Sequence, residues 1–271
     1  MEVVICPNEA EVGAVAADRV ISSITGNQTP VLGVATGSSP VQLYEELARR
    51  IEAGEVDLSH GLAFALDEYV GIPPEHPLSY KETIRRTVQE PFRMDPARVR
   101  VPNGFAPDLA AAALEYDNAI ADAGGVDVQI LGIGTNGHIG FNEPTSSFSS
   151  RTRVKTLTRQ TREDNARFFS DGEAVPTHCV TQGLGTIMEA RAIVMVASGE
   201  HKADAVAAMV EGPVAGVCPA SILQFHPKVF VVVDEAAGAK LRYADYFRHS
   251  LELPITGGPD DGSQLSNVSA G

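Results

Sequence analysis

The chain has 271 residues, 44% of them hydrophobic, and no long apolar run, so it can bury one substantial core without a membrane. Its formal net charge of −14 argues against nucleic acid or an anionic membrane as a partner, because both select basic surfaces. Three cysteines, Cys6, Cys179 and Cys218, are odd in number, far apart and without C-x-x-C spacing, which argues against a zinc site or a disulfide framework and predicts a reducing cytoplasm.

The opening MEVVICPNEAEVG has neither a basic leader nor a signal-length apolar segment, so nothing in it predicts export. Residues 2–6 read as a first strand, and 9–24 as an alanine-rich amphipathic helix ending before Thr25-Gly26-Asn27. A second apolar run, 30–35, leads into Thr36-Gly37-Ser38-Ser39-Pro40 and a helix over 41–53. Strand, small-residue turn and helix in that order set N–H groups and hydroxyls at a positive helix end, where an anion is stabilised. An ordinary βα loop with Ser or Thr caps reads equally well from these residues alone. Residues 62–66 form a short predicted strand that runs into Asp67-Glu68 and a proline-bounded loop, 72–77. Two adjacent carboxylates at the end of a buried strand are costly unless hydrated, capping or used. The next helix begins near Ser79, too far along for Asp67 to cap it, which favours a functional role.

Residues 78–90 read as helix, 99–101 as a brief strand, 107–122 as a second alanine-rich helix and 126–131 as a buried strand. Beyond Pro144, 145–150 is small and polar, and 151–157 alternates basic with other residues ahead of a helix near 161–170. A strand over 192–197, a helix over 200–211, a helical turn at 220–224, a strand over 228–233 and a helix to about residue 251 complete the pattern. This alternation predicts an α/β fold: an open, mostly parallel, Rossmann-like sheet with helices on both faces. Residues 1–253 are expected to form one domain, and the Gly-, Ser- and Asp-rich segment 254–271 a mobile tail.

Most of the chemistry is concentrated in VDVQILGIGTNGHIGFNEP, residues 126–144. A glycine-rich turn at the carboxyl end of a parallel strand lies where open α/β sheets bind ligands. Gly132 to Gly137 also satisfies G-x-G-x-x-G, but that dinucleotide fingerprint must open a long helix and be followed about 20 residues later by an acidic residue. Here Pro144 arrives first, and the later segment is the basic RVKTLTR, so an NAD-dependent oxidoreductase is the weaker reading. His138 is the only histidine in a Gly-rich, carboxylate-containing loop; packing or exposure accounts for the other six. A carboxylate fixes an imidazole's tautomer and raises its basicity, so Glu143 with His138 makes a competent acid–base pair, worth about 10² to 10⁴ in rate. Asp67, from another strand end, would supply a second base on another face of the substrate. Two bases suggest more than one proton transfer.

The motifs VATGSSP (34–40), LDEYVG (66–71), HPLSY (76–80) and LGIGTNGHIGFNEP (131–144) resemble the glucosamine-6-phosphate deaminase family. The likeness continues through SRTRVKTLT (150–158), NARFF (165–169) and SGEHKA (198–203), in the family's order and over nearly all of the chain before the tail. The resemblance implies conversion of glucosamine 6-phosphate and water to fructose 6-phosphate and ammonia by ring opening, aldose–ketose isomerisation and loss of the amine. It implies that His138 opens the ring with Glu143 and Asn136 as partners, and that Asp67 takes the C2 proton. Many members carry Asp where this chain has Asn136; an amide orients the imidazole but takes up no proton, which leaves Glu143 as the charged partner. For the substrate phosphate it implies Thr36, Gly37, Ser38 and Ser39 with Arg167 and Lys202, two cations that otherwise read as solvated surface charges. No metal and no cofactor are implied, since enolisation runs on carboxylate and imidazole.

Some members are hexamers activated by N-acetylglucosamine 6-phosphate at a subunit interface. Ser146, Arg153, Lys155, Thr156 and Tyr246 fall where such an allosteric site would be built, and a homo-oligomer is the matching expectation. Ala192, however, stands where activated members can carry an acid. Two rival readings remain. A 6-phosphogluconolactonase shares the fold and a related histidine loop, but is not expected to carry LDEYVG with HPLSY, or FNEP after the histidine. A non-catalytic sugar-phosphate sensor would bind substrate without releasing ammonia.

Overall fold

The computed structural model describes residues 1–169 and 173–252; the segment 254–271, predicted as a tail, lies outside the described residues. In chain order the elements are β1 (Glu2–Cys6), α1 (Glu9–Ile24), β2 (Val31–Val34), α2 (Val41–Glu52), β3 (Leu62–Ala65), β4 (Asp67–Tyr69), α3 (Tyr80–Ile84), β5 (Val99–Arg100), α4 (Leu109–Asp122) and β6 (Val128–Leu131). They continue with β7 (Arg153–Thr156), α5 (Arg159–Asn165), β8 (His178–Thr181), α6 (Leu184–Met188), β9 (Ala192–Ala197), α7 (Ala203–Glu211), β10 (Val229–Asp234) and α8 (Ala244–Glu252). Local chemistry sets several of the starts. Asn8, Ser79, Asp108 and Thr158 each accept a backbone N–H at the first turn of α1, α3, α4 and α5, satisfying donors that have no partner within the helix.

Seven strands pair in the order β1-β10-β9-β6-β2-β3-β5, every neighbour parallel. Alternate residues of one strand enter opposite cores. In β9, Ile193, Met195 and Ala197 face a core completed by α4, α6 and α7, whereas Ala192, Val194 and Val196 face one completed by α1 and α2. Burial on both faces is why these strands read as continuous apolar runs rather than alternating ones. No helix among the described residues is long and apolar enough to cross a membrane.

The order reverses between β2 and β6: the chain runs outward from β2 through β3 to β5, then returns to β2's other side at β6. Loops leaving the carboxyl ends of these two strands therefore diverge and open a crevice, the place where doubly wound sheets hold ligands.

A second, antiparallel sheet, β4-β8-β7, was not foreseen. Its three- and four-residue strands pair residues 67–69 with 179–181, and the segment 151–157 supplies β7. Two predicted helices are also reshaped. Residues 78–90 become α3 followed by a π-helical turn, Arg85–Gln89; the helix expected near 161–170 starts at Arg159 and gives way after Asn165 to a 3₁₀ turn, Ala166–Phe168.

Candidate active site

An open cleft lies over the crevice and is lined from the loops after β2, β3, β6 and β9. Thr36, Gly37, Ser38 and Ser39 form one wall between β2 and α2, with Gly37 in the left-handed region at φ 87°. Pro40 holds the cap position of α2 and supplies no side-chain bond, so the helix presents its first-turn N–H groups uncapped. Gly132 must be glycine here, because a Cβ would stand 2.9 Å from that of Ser39 where the two loops meet.

Opposite stand Arg167, from the 3₁₀ turn after α5, and Lys202, from the loop after β9. Burial holds the Lys202 ammonium below its ordinary pKa and Arg167 lowers it further, while Asp164 works the other way. Among the described residues neither cation forms an ion pair. A partly desolvated ammonium and an exposed guanidinium beside an uncapped helix end make a region that gains from a dianion.

His138 is placed by a tight turn in which Gly134 N–H donates to the His138 carbonyl at 2.9 Å and Gly137 N–H to that of Gly134 at 2.9 Å. A Cβ on Gly134 would lie 2.2 Å from the imidazole Cε1. Gly134→Ala is therefore expected to displace the ring; if His138 is catalytic, kcat falls about 10²-fold with KM little changed, as misplacement by about 1 Å predicts. Steady-state kinetics together with an unchanged melting temperature check this.

The imidazole is oriented through an amide. Asn136 Nδ2 donates to Glu143 Oε2 at 2.8 Å, which turns Asn136 Oδ1 toward His138 Nδ1 at 2.7 Å. A carboxylate only accepts, so the amide orientation is fixed, and an amide oxygen only accepts, so Nδ1 carries the proton. Nε2 is left with its lone pair free. Burial and the Lys202 charge push the imidazole pKa down while Glu143 and Asp164 pull it up, and burial prevails. Glu143, almost wholly buried, is itself held by Thr158, whose N–H and hydroxyl reach Oε1 at 3.0 and 3.2 Å.

Asp67 lies at the same cleft, only 4% exposed. Burial, with a further push from Glu68, raises its carboxyl pKa to about 8, against stabilising contacts from Thr181 and the Phe141 N–H. Glu68 points to the other side of β4 and accepts the N–H groups of Tyr69, Tyr80 and Lys81 at 2.8, 3.0 and 2.9 Å. The two adjacent acids thus divide: Glu68 caps α3 and Asp67 faces the cleft.

All of the sequence-predicted catalytic and phosphate residues except Asn136 and Glu143 line this cleft, and those two stand directly behind His138. Tyr80, Asp164 and Asn165 line it as well and were not singled out, although Tyr80 and Asn165 fall inside quoted motifs. The five predicted allosteric residues are spread out. Ser146 Oγ donates to the Glu143 carbonyl at 2.7 Å and Arg153 Nη1 to Asn142 Oδ1 at 2.9 Å, both behind the His138 loop. Lys155 and Thr156 follow on β7, but Tyr246 is on α8, which packs against β1 at the far edge of the large sheet. Among the described residues no group of three His, Cys, Asp or Glu is placed to hold a metal ion.

Fold and cleft together define an α/β enzyme whose strand-end cleft is suited to an anion and lined by two groups able to exchange protons. The chain belongs to the family of glucosamine-6-phosphate isomerases and 6-phosphogluconolactonases, which it matches over residues 8–231. It is 59% identical to a glucosamine-6-phosphate deaminase of Cutibacterium acnes over 248 residues, 92% of this chain and 95% of that one. It is also 57% identical to a deaminase of the same name from Streptomyces coelicolor over 251 residues, 92% and 96% of the two chains. Among solved structures, a glucosamine-6-phosphate deaminase described as monomeric superposes with a TM-score of 0.86 at 38% identity, covering 89% of this chain and all of that one. A 6-phosphogluconolactonase from Leishmania guyanensis, 19% identical with a TM-score of 0.69 over 88% and 97% of the chains, shares the fold.

Proposed function

We propose that the chain converts D-glucosamine 6-phosphate and water to D-fructose 6-phosphate and ammonia. The observation that carries this reading is one cleft holding two separate proton-transfer groups, Asp67 and His138, beside an anion cradle. In it the phosphate binds the Thr36 to Ser39 turn, Arg167 and Lys202. His138, held by Asn136 and Glu143, moves the proton that opens the pyranose ring. Asp67 then takes the proton from C2 of the open aldehyde, and protonation of the carbonyl oxygen gives an enolamine; protonation at C1 leaves an imine at C2, to which water adds, and the carbinolamine so formed expels ammonia to leave the ketone. Each step is proton transfer or hydration, within reach of a carboxylate and an imidazole.

Incubation with glucosamine 6-phosphate tests the reading, with ammonia and fructose 6-phosphate expected in equal amounts; loss of 6-phosphogluconolactone instead would favour the hydrolase. Arg167→Ala is expected to raise KM roughly 10- to 150-fold with a smaller change in kcat, the effect of losing a charge-assisted hydrogen bond. An unchanged KM would place the phosphate elsewhere.

Every residue invoked comes from one copy of the chain, so specific activity is expected to be independent of oligomeric state. The homo-oligomer implied by the resemblance then concerns regulation. Sedimentation, with and without N-acetylglucosamine 6-phosphate, decides it. Three free, buried cysteines suit a reducing compartment, and on that ground the reading places the enzyme in the cytoplasm.

A further inference from the structure

One lining residue is out of character. Asp164 puts a carboxylate into a cleft whose cations, Arg167 and Lys202, await an anion. A negative charge there repels a phosphate and needs a compensating role. Both of its oxygens are engaged: Oδ2 accepts from Thr135 Oγ1 at 3.0 Å and Oδ1 from Gln160 Nε2 at 2.8 Å. Thr135 belongs to the turn that places His138, and Asp164 stands three residues before Arg167 on the same arm. The arm is anchored at its root by Thr158 on Glu143, and by Asn165 Nδ2 on the Tyr69 hydroxyl at 3.0 Å. Neither of those bonds reaches the tip of the His138 turn; the Thr135–Asp164 bond does.

We infer that Asp164 is a positioning residue that ties the arm carrying Arg167 to the turn carrying His138, fixing the span between the phosphate cation and the ring-opening group. The inference rests on the proposed deaminase reading. The tie and the charge are separable. Asparagine at 164 still accepts from Thr135 through its Oδ1, and Gln160 can reverse its amide to meet the new N–H group, so Asp164→Asn removes the charge and keeps the tie. Asp164→Ala removes both, and Thr135→Val removes the tie and keeps the charge.

The experiment compares these variants in ammonia release and, independently of turnover, in calorimetric binding of inorganic phosphate. Asp164→Ala is expected to turn over three- to tenfold more slowly, and to bind phosphate three- to tenfold more weakly, than Asp164→Asn. Thr135→Val should lose a similar factor from wild type, and the Thr135→Val/Asp164→Ala double variant should be no worse than Asp164→Ala alone. Equal behaviour of the Ala and Asn variants overturns the inference, as do losses that simply multiply in the double variant. Wild-type protein that binds phosphate but releases no ammonia would sink the deaminase reading, while the phosphate comparison would still test the tie.

Discussion

Asp67→Asn is expected to reduce turnover of glucosamine 6-phosphate by about 10² to 10⁴ while leaving its binding within a few-fold. The amide matches the carboxylate in shape, keeps contact with Thr181 and the Phe141 N–H through its oxygen, and cannot take a proton from carbon. Ammonia release gives kcat and calorimetry gives affinity; full turnover by the variant would remove Asp67 from its role. A signature in pH accompanies the loss. With its carboxyl pKa raised to about 8, Asp67 is largely protonated in the empty cleft at neutral pH, so wild-type kcat/KM should climb as pH rises through about 8. Stability runs the other way. The neutral form is favoured in the folded protein, and its contribution is complete below about pH 4, falls as pH rises and is lost above about pH 8. Asp67→Asn lacks that slope, so it should become more stable than wild type as pH rises through this window, by an amount on the order of a few kcal/mol. Melting temperatures measured from pH 5 to 9 report it.

His138→Gln should be nearly as damaging, again about 10² to 10⁴ in kcat, since glutamine fills the space without relaying a proton. Because Nδ1 is committed to Asn136, only Nε2 is available to the ring, and the variant loses that lone pair. Burial holds the imidazole below its ordinary pKa, so wild-type activity should persist into mildly acidic solution further than an exposed histidine would allow, as far as this group is concerned. Proton exchange at C2 separates the two roles. A substrate analogue that cannot close its ring should still exchange in His138→Gln and should fail to do so in Asp67→Asn. Exchange blocked equally in both would make His138 part of the C2 step.

The large sheet was legible because its strands are buried on both faces, so runs such as 192–197 carry no competing polar signal. The small sheet was not, because β4 and β8 are too short to show a period and their pairing joins distant parts of the chain. Asp67 could be singled out with Glu68 as a carboxylate pair at the end of a buried strand, but distance along the chain did not exclude capping, since Glu68 caps α3. The cap supplied by Glu68 was hidden for the related reason that its helix begins 12 residues on and folds back to it. Arg167 and Lys202 carried no local sign of use: a lone cation on a helix or loop looks solvated until the fold sets a second cation beside it. Asp164 was passed over for the same reason, as an acid on a charged helix.

Between β3 and β4 stands a single residue, Leu66, whose N–H donates to Val34 in the large sheet at 3.0 Å and whose carbonyl accepts from Gln182, beside the small sheet, at 2.8 Å. The carboxylate at position 67 is thereby set out from two frames at once, like a mark fixed by two rulers. A substitution that lets one frame slide against the other by a fraction of an ångström would be felt first as slow chemistry in a protein that still folds, binds and melts as before.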